Sequence, residues 1–104
     1  MKKIEDVDDE YILKPDPRAY KEIKLTIMEA FDQMNERFPL PRVMPDGEGG
    51  IVAAWSLAGK RVRLRFRADR ERRDYIYYQS EEDYDVESPT TDNLVNRLEW
   101  LIGE

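Results

Sequence analysis

The stretch IVAAWSLAGKRVRLRFRA, residues 51–68, decides the fold. Its second half alternates without a lapse: Val62, Leu64, Phe66 and Ala68 fall on one side, and Arg61, Arg63, Arg65 and Arg67 on the other. A period of two is the mark of a strand with one face in a core and one outside it. The first half, IVAAWSL, reads as a partner strand, and Gly59-Lys60 between them suits a two-residue type II′ hairpin, which wants glycine first. That turn pairs Leu57 with Val62, Trp55 with Leu64, Ala53 with Phe66, and Ile51 with Ala68. Large residues then oppose small or medium ones, as a packable sheet face requires. On the other face the arginines lie beside Ala58, Ser56, Ala54 and Val52. Small neighbours leave the guanidinium row uncovered: a flat cationic platform that calls for something acidic above it.

Downstream, DYIYYQ at 74–79 reads as a third strand. Its facing depends on the loop through Asp69–Arg73. One parity puts Tyr75 and Tyr77 in the core; the other buries Ile76 and Tyr78 and stands Tyr75 and Tyr77 beside the arginines. Residues 81–88 are acidic and either add a short edge strand around Tyr84–Glu87 or remain loop.

Upstream, three prolines and three glycines in PLPRVMPDGEGG (39–50) predict a stiff, irregular approach followed by a turn. The glycines do not cradle phosphate: no strand precedes them, no GxxxxGK[ST] or GxGxxG is present, and Asp46 and Glu48 would repel an anion. The spaced ligands of an EF-hand are missing too.

A long amphipathic helix is predicted over 16–38. It opens on Asp16 as N-cap and Pro17 at the first helical position, carries Tyr20, Ile23, Ile27, Ala30 or Phe31, Met34 and Phe38, and stops at Pro39. Leu25 and Met28 widen its apolar face. A second helix over 90–102 opens on Pro89-Thr90-Thr91-Asp92, is apolar along Leu94, Val95, Leu98, Leu101 and Ile102, and ends at Gly103, with Trp100 at the edge of the stripe. Residues 1–14 read as an acidic arm or a short edge strand. The architecture expected is a single α+β domain over 1–104. It is a two-layer sandwich of an antiparallel meander under two helices, with three strands over 51–79 or a fourth beyond them, and with the arginine face left open.

The chain has 104 residues with 17 Lys+Arg and 23 Asp+Glu, a net charge of −6. Residues 60–73 hold eight basic residues against two acidic ones, +6, so the remainder carries −12. Acid gathers at EDVDDE (5–10) and EEDYDVE (81–87). Histidine and cysteine are absent, which removes imidazole bases, thiolate nucleophiles, disulfides and Cys/His zinc sites. Asp6, Asp8, Asp9 and Glu10 could hold a cation only weakly, and no paired carboxylates are placed for hydrolysis. No cofactor, metal or catalytic residue is expected, and no run is long enough to span a membrane; the cytoplasm is the expected location.

The interaction face expected is Arg61, Arg63, Arg65 and Arg67 with Tyr75 and Tyr77. Arginine pairs carboxylates and stacks on aromatics, which favours a protein partner: the acidic segments either fill the platform in trans, giving a homodimer, or neutralise a basic partner, such as a toxin or a nucleic-acid enzyme, in the manner of an antitoxin or immunity protein. An arginine–tyrosine sheet face is also what single-stranded nucleic acid uses, although −12 elsewhere opposes a polyanion.

Residues 39–55, PLPRVMPDGEGGIVAAW, resemble a signature of small uncharacterised bacterial proteins. There a P-x-P-x-x-x-P segment leads through D-G-x-G-G to a strand with a tryptophan, and the chain closes near W-L, here Trp100-Leu101. Those proteins have an acidic residue before the tryptophan, where Ala54 stands in this chain. The resemblance implies the fold and a bacterial origin, and no activity.

Overall fold

A computed structural model describes residues 16–103, so the arm expected at 1–14 lies outside the described residues. Helix α1 (Pro17–Met34) opens as its sequence demands, with the Asp16 carboxylate accepting from the Ala19 amide at 3.0 Å and proline at the first turn. The α-helix stops four residues short of the expected Phe38. Asn35 takes a positive φ of 54°, and one 3₁₀ turn (Asn35–Arg37) follows. That break turns Phe38 back toward the core, edge-on to both Phe31 (5.6 Å) and Trp55 (6.3 Å). The buried stripe is Ala19, Ile23, Ala30 and Met34. Ala30 rather than Phe31 takes the inner position, and Leu25 and Met28 are exposed.

Five strands follow: β1 (Arg42–Pro45), β2 (Ile51–Leu57), β3 (Lys60–Phe66), β4 (Tyr75–Gln79) and β5 (Tyr84–Glu87), antiparallel in the order β1-β2-β3-β4-β5. Three or four were expected. The fifth comes from the proline-rich approach, where Arg42–Pro45 pairs with Ile51–Ala54. An edge strand tolerates proline because its outer side needs no ladder partner. Helix α2 (Thr91–Ile102) closes the fold, capped by the Thr90 hydroxyl accepting from the Asn93 amide.

The β2–β3 hairpin turns one residue earlier than the glycine-first reading implies. Its two loop residues are Ala58 (φ 51°) and Gly59 (φ 84°), a type I′ pattern with both φ values positive. Lys60 therefore belongs to the strand opposite Leu57, and the pairs become Trp55 with Val62, Ala53 with Leu64, and Ile51 with Phe66. The register has moved by two residues along β3. An even slip leaves every side chain on its expected face, so the separation of core from arginines survives the correction. Ala68 now lies beyond the strand.

Both helices pack on the face bearing Ala53, Trp55, Val62, Leu64, Phe66 and Ile76. Leu64, Ile76, Leu94, Leu98 and Val62 are the largest fully buried side chains, each worth about 1.5–3 kcal/mol in apolar burial. The Trp55 indole N–H donates to the Pro39 carbonyl at 2.7 Å, tying the stiff approach to the core. Lys60, on the helix side of β3, donates from Nζ to the Trp100 carbonyl at 2.7 Å and lies over the Trp100 ring at 5.0 Å. A cation at a helix C-terminus is favourable. Trp100, at the margin of the stripe as expected, is half-buried edge-on to Tyr78.

Ala58 is the residue ill-suited to its turn, since a left-handed conformation costs a non-glycine residue about 1–2 kcal/mol. Replacing Ala58→Asn, the residue type I′ turns favour at this position, should raise stability by about 1 kcal/mol in urea unfolding. Asn at 58 leaving the midpoint unchanged or lower would contradict the type I′ assignment.

Candidate functional site

The second face of the sheet carries no helix among the described residues. Its composition follows from alternation through the observed registers. Arg61 lies between Ser56 and Gln79, Arg63 between Ala54 and Tyr77, and Arg65 between Val52 and Tyr75. The parity left open for the third strand is thus resolved: Ile76 is buried opposite Leu64, and Tyr75 and Tyr77 stand beside the arginines. The choice is made by packing, because an isoleucine at the sheet centre has no polar group to satisfy whereas a buried tyrosine hydroxyl needs a partner.

The four arginines have different environments. Arg61 and Arg63 are exposed, with no carboxylate within 4 Å among the described residues. They form a low ridge between two shallow troughs. One, of about 530 Å³, is lined by Leu40, Arg42, Met44, Ala54 and Ser56 among others; the other, of about 260 Å³, by Tyr75, Tyr77 and Gln79. The Tyr77 hydroxyl donates to Gln79 Oε1 at 3.1 Å, and its ring lies 6.3 Å from that of Tyr84.

Arg65 is held. Its Nε and Nη2 donate to Asp46 Oδ2 at 3.1 and 2.9 Å, and its Nη1 to the Tyr75 hydroxyl at 3.4 Å. The Asp46 side chain is only 4% exposed. Its Oδ1 accepts from the amides of Glu48 (2.7 Å) and Gly50 (2.8 Å), so one carboxylate both builds the loop and clamps the arginine. Gly50 has to be glycine: a Cβ there would run into the Asp46 carboxylate and lie 2.6 Å from the Phe66 carbonyl. Arg67 lies past the end of β3, where its Nε donates to the Arg73 carbonyl and its guanidinium sits 5.5 Å from the Tyr75 ring. The expected row of four is therefore an exposed pair, one clamped member and one corner residue.

Arg42, Met44, Gln79, Tyr84 and Val86 also belong to the face by register, a placement not legible in the residue order. For Arg42 and Met44 the prolines mask a two-residue alternation. Asp46 carried a usable signal, because an aspartate opening a glycine-rich turn bonds amides two and four residues on. The acids of the last strand turn away. Asp85 and Glu87 share the helix side, where Glu87 pairs with Arg97 at 3.4 Å, while Tyr84 and Val86 point outward. The 81–87 cluster does not cover the arginines through this strand.

Chemically the face can attract carboxylates or phosphates and stack planar groups. Among the described residues no three acids converge to hold a metal ion, and no helix is long and apolar enough to cross a membrane. No family model, curated protein or solved structure matches the chain.

Burial pushes the Asp46 carboxyl upward, but the hydrogen bonds from Glu48, Arg65 and Gly50 and the Arg65 charge outweigh it, and the pKa ends below its ordinary value. A carboxyl depressed on folding adds stability that is complete above its unfolded pKa, near about 4, and is lost as pH falls through the folded value. Asp46→Asn should therefore cost about 2 kcal/mol at neutral pH. It should also flatten the loss of stability between neutral and strongly acidic solution, measured by urea unfolding across pH; an equal slope in variant and wild type would refute the clamp.

Proposed function

We propose that this chain is a non-catalytic interaction module: a small bacterial protein of the cytoplasm that binds an acidic surface of another protein through the open face of its sheet. The observation that carries the reading is the make-up of that face. Arg42, Arg61, Arg63, Met44, Tyr77 and Tyr84 lie together on a layer no helix covers among the described residues, and arginine, tyrosine and methionine are the residue types enriched where proteins meet. The absence of histidine and cysteine supports a module that does no chemistry.

Five strands spaced about 4.8 Å apart and up to seven residues long make a face of roughly 500 Å². Both partners together would bury about 1,000 Å², the small end of specific interfaces, so binding should be transient and salt-sensitive. An inhibitor of antitoxin or immunity type is one form of such a module, steered onto its target by charge. A homodimer in which one copy's acids meet the other's arginines is another. A second reading, single-stranded nucleic acid, is favoured by one observation: Tyr77 and Tyr75 stand beside Arg63 and Arg65, as in stacking platforms.

Placing a photo-crosslinking amino acid at Tyr77 and irradiating living cells tests the choice. The reading expects one discrete protein adduct, weakened by salt in the purified complex and lost in Arg61→Glu with Arg63→Glu. An adduct of two copies selects the homodimer. No adduct, or one that survives the charge reversal, overturns the proposal. Tight binding of a labelled single-stranded oligonucleotide at low salt, abolished by the same reversal, would transfer the face to the second reading.

A further inference from the structure

Helix α1 turns a second apolar stripe outward, beside the one it buries. Tyr20, Leu25, Met28 and Phe31 are each about half exposed, and by helical geometry they fall within about 140° of one another. Glu29, on another flank, reaches α2 by accepting from the Thr91 hydroxyl. Single apolar residues are ordinary on a surface, whereas a continuous row along one helix marks a contact. We propose that a second copy of the chain covers this stripe, with α1 lying antiparallel on α1 about a two-fold axis between residues 26 and 27.

The residue order is self-complementary about that point. Lys21, Leu25, Met28 and Asp32 follow at steps of four, three and four, the spacing of a coiled-coil seam. The steps read the same from either end, but a cation stands at one end and an anion at the other. An antiparallel pair therefore sets Leu25 against Met28 and Lys21 against Asp32, each twice, where a parallel pair would oppose like charges. On the neighbouring row, Tyr20 of one copy comes within two residues, about 3 Å along the axis, of Phe31 of the other. Their rings are near enough to meet.

The second copy supplies what the helix lacks by itself. Among the described residues neither Lys21 nor Asp32 has an opposite charge within 4 Å. Their helical neighbours are of like charge instead: Lys21 stands three residues from Arg18 and Lys24, and Asp32 three from Glu29. Half-exposed side chains of this size each leave on the order of 100 Å² to cover. With the flanking charges, two copies together bury roughly 1,000 Å², the size of a transient assembly. Because α1 packs on the apolar layer of the sheet, this contact is separate from the arginine face and leaves both copies of that face open.

Sedimentation equilibrium of the full chain tests the dimer. A reversible monomer–dimer equilibrium is expected, with a dissociation constant on the order of 10 μM. Lys21→Glu and Asp32→Lys should each weaken it about tenfold, since either change sets like charges face to face across the axis. The chain carrying both changes should recover the wild-type strength, because the swap restores each pair. Within one chain the same substitutions relieve like-charge neighbours, so the urea midpoint of the dilute monomer should hold or rise. A chain that stays monomeric to millimolar concentration overturns the proposal. A dimer that ignores either reversal, or that the double swap fails to restore, also overturns it. So does a dimer lost in Arg61→Glu with Arg63→Glu, which would place the contact on the sheet.

Discussion

A strand residue has two faces to choose from, and the central strand β3 commits the whole sheet to one partition. Val62, Leu64 and Phe66 can be dry only if Arg61, Arg63 and Arg65 are outside, because successive side chains of a strand point to opposite faces. The constraint passes along the ladders. Opposite β3, β2 must bury Ile51, Ala53 and Trp55 and leave Val52, Ala54 and Ser56 outward. On the other side β4 buries Ile76, and with it turns Tyr75 and Tyr77 out. Helices can cover only the apolar layer, so one face of the molecule is core and the other is left to arginine and tyrosine.

That partition also explains how a chain of net charge −6 presents a cationic surface. The basic stretch 60–73 is dispersed by the fold instead of acting as one patch. Lys60 goes to the carbonyl end of α2, Arg65 to Asp46, and Arg67 to the corner past β3. Arg61 and Arg63 are left on the open face with no carboxylate within 4 Å among the described residues. The same alternation sends Asp85 and Glu87 behind the sheet while their neighbours Tyr84 and Val86 come forward. Charge balance in the whole chain is therefore no guide to the potential over this face. Local parity is.

Much of the fold is legible in the residue order, and the departures from it follow a physical pattern. The helix start at Asp16-Pro17 and the Thr90 cap are local hydrogen-bonding devices, and both stand as expected. The helix end at Met34 and the extra strand at Arg42–Pro45 are not legible because both answer to distant partners. Phe38 turns toward Trp55, and a proline-flanked segment becomes a strand only when β2 supplies its other half. The hairpin differs from expectation by one residue because Gly59 suits either turn type. Only strand twist, through Ala58 at positive φ, decides between them.

The residue order by itself determined which side chains of 61–66 share a face, where both helices begin, and that no imidazole or thiol is present. These are properties of backbone geometry over a few residues, or of composition, and need no third dimension. Tertiary structure decided which parity β4 takes, that Asp46 folds over Arg65, and that Arg61 and Arg63 stand clear of acid among the described residues. Those outcomes depend on the phase of one element relative to another. That phase is set where loops close and cores pack, which no period within a single strand can record.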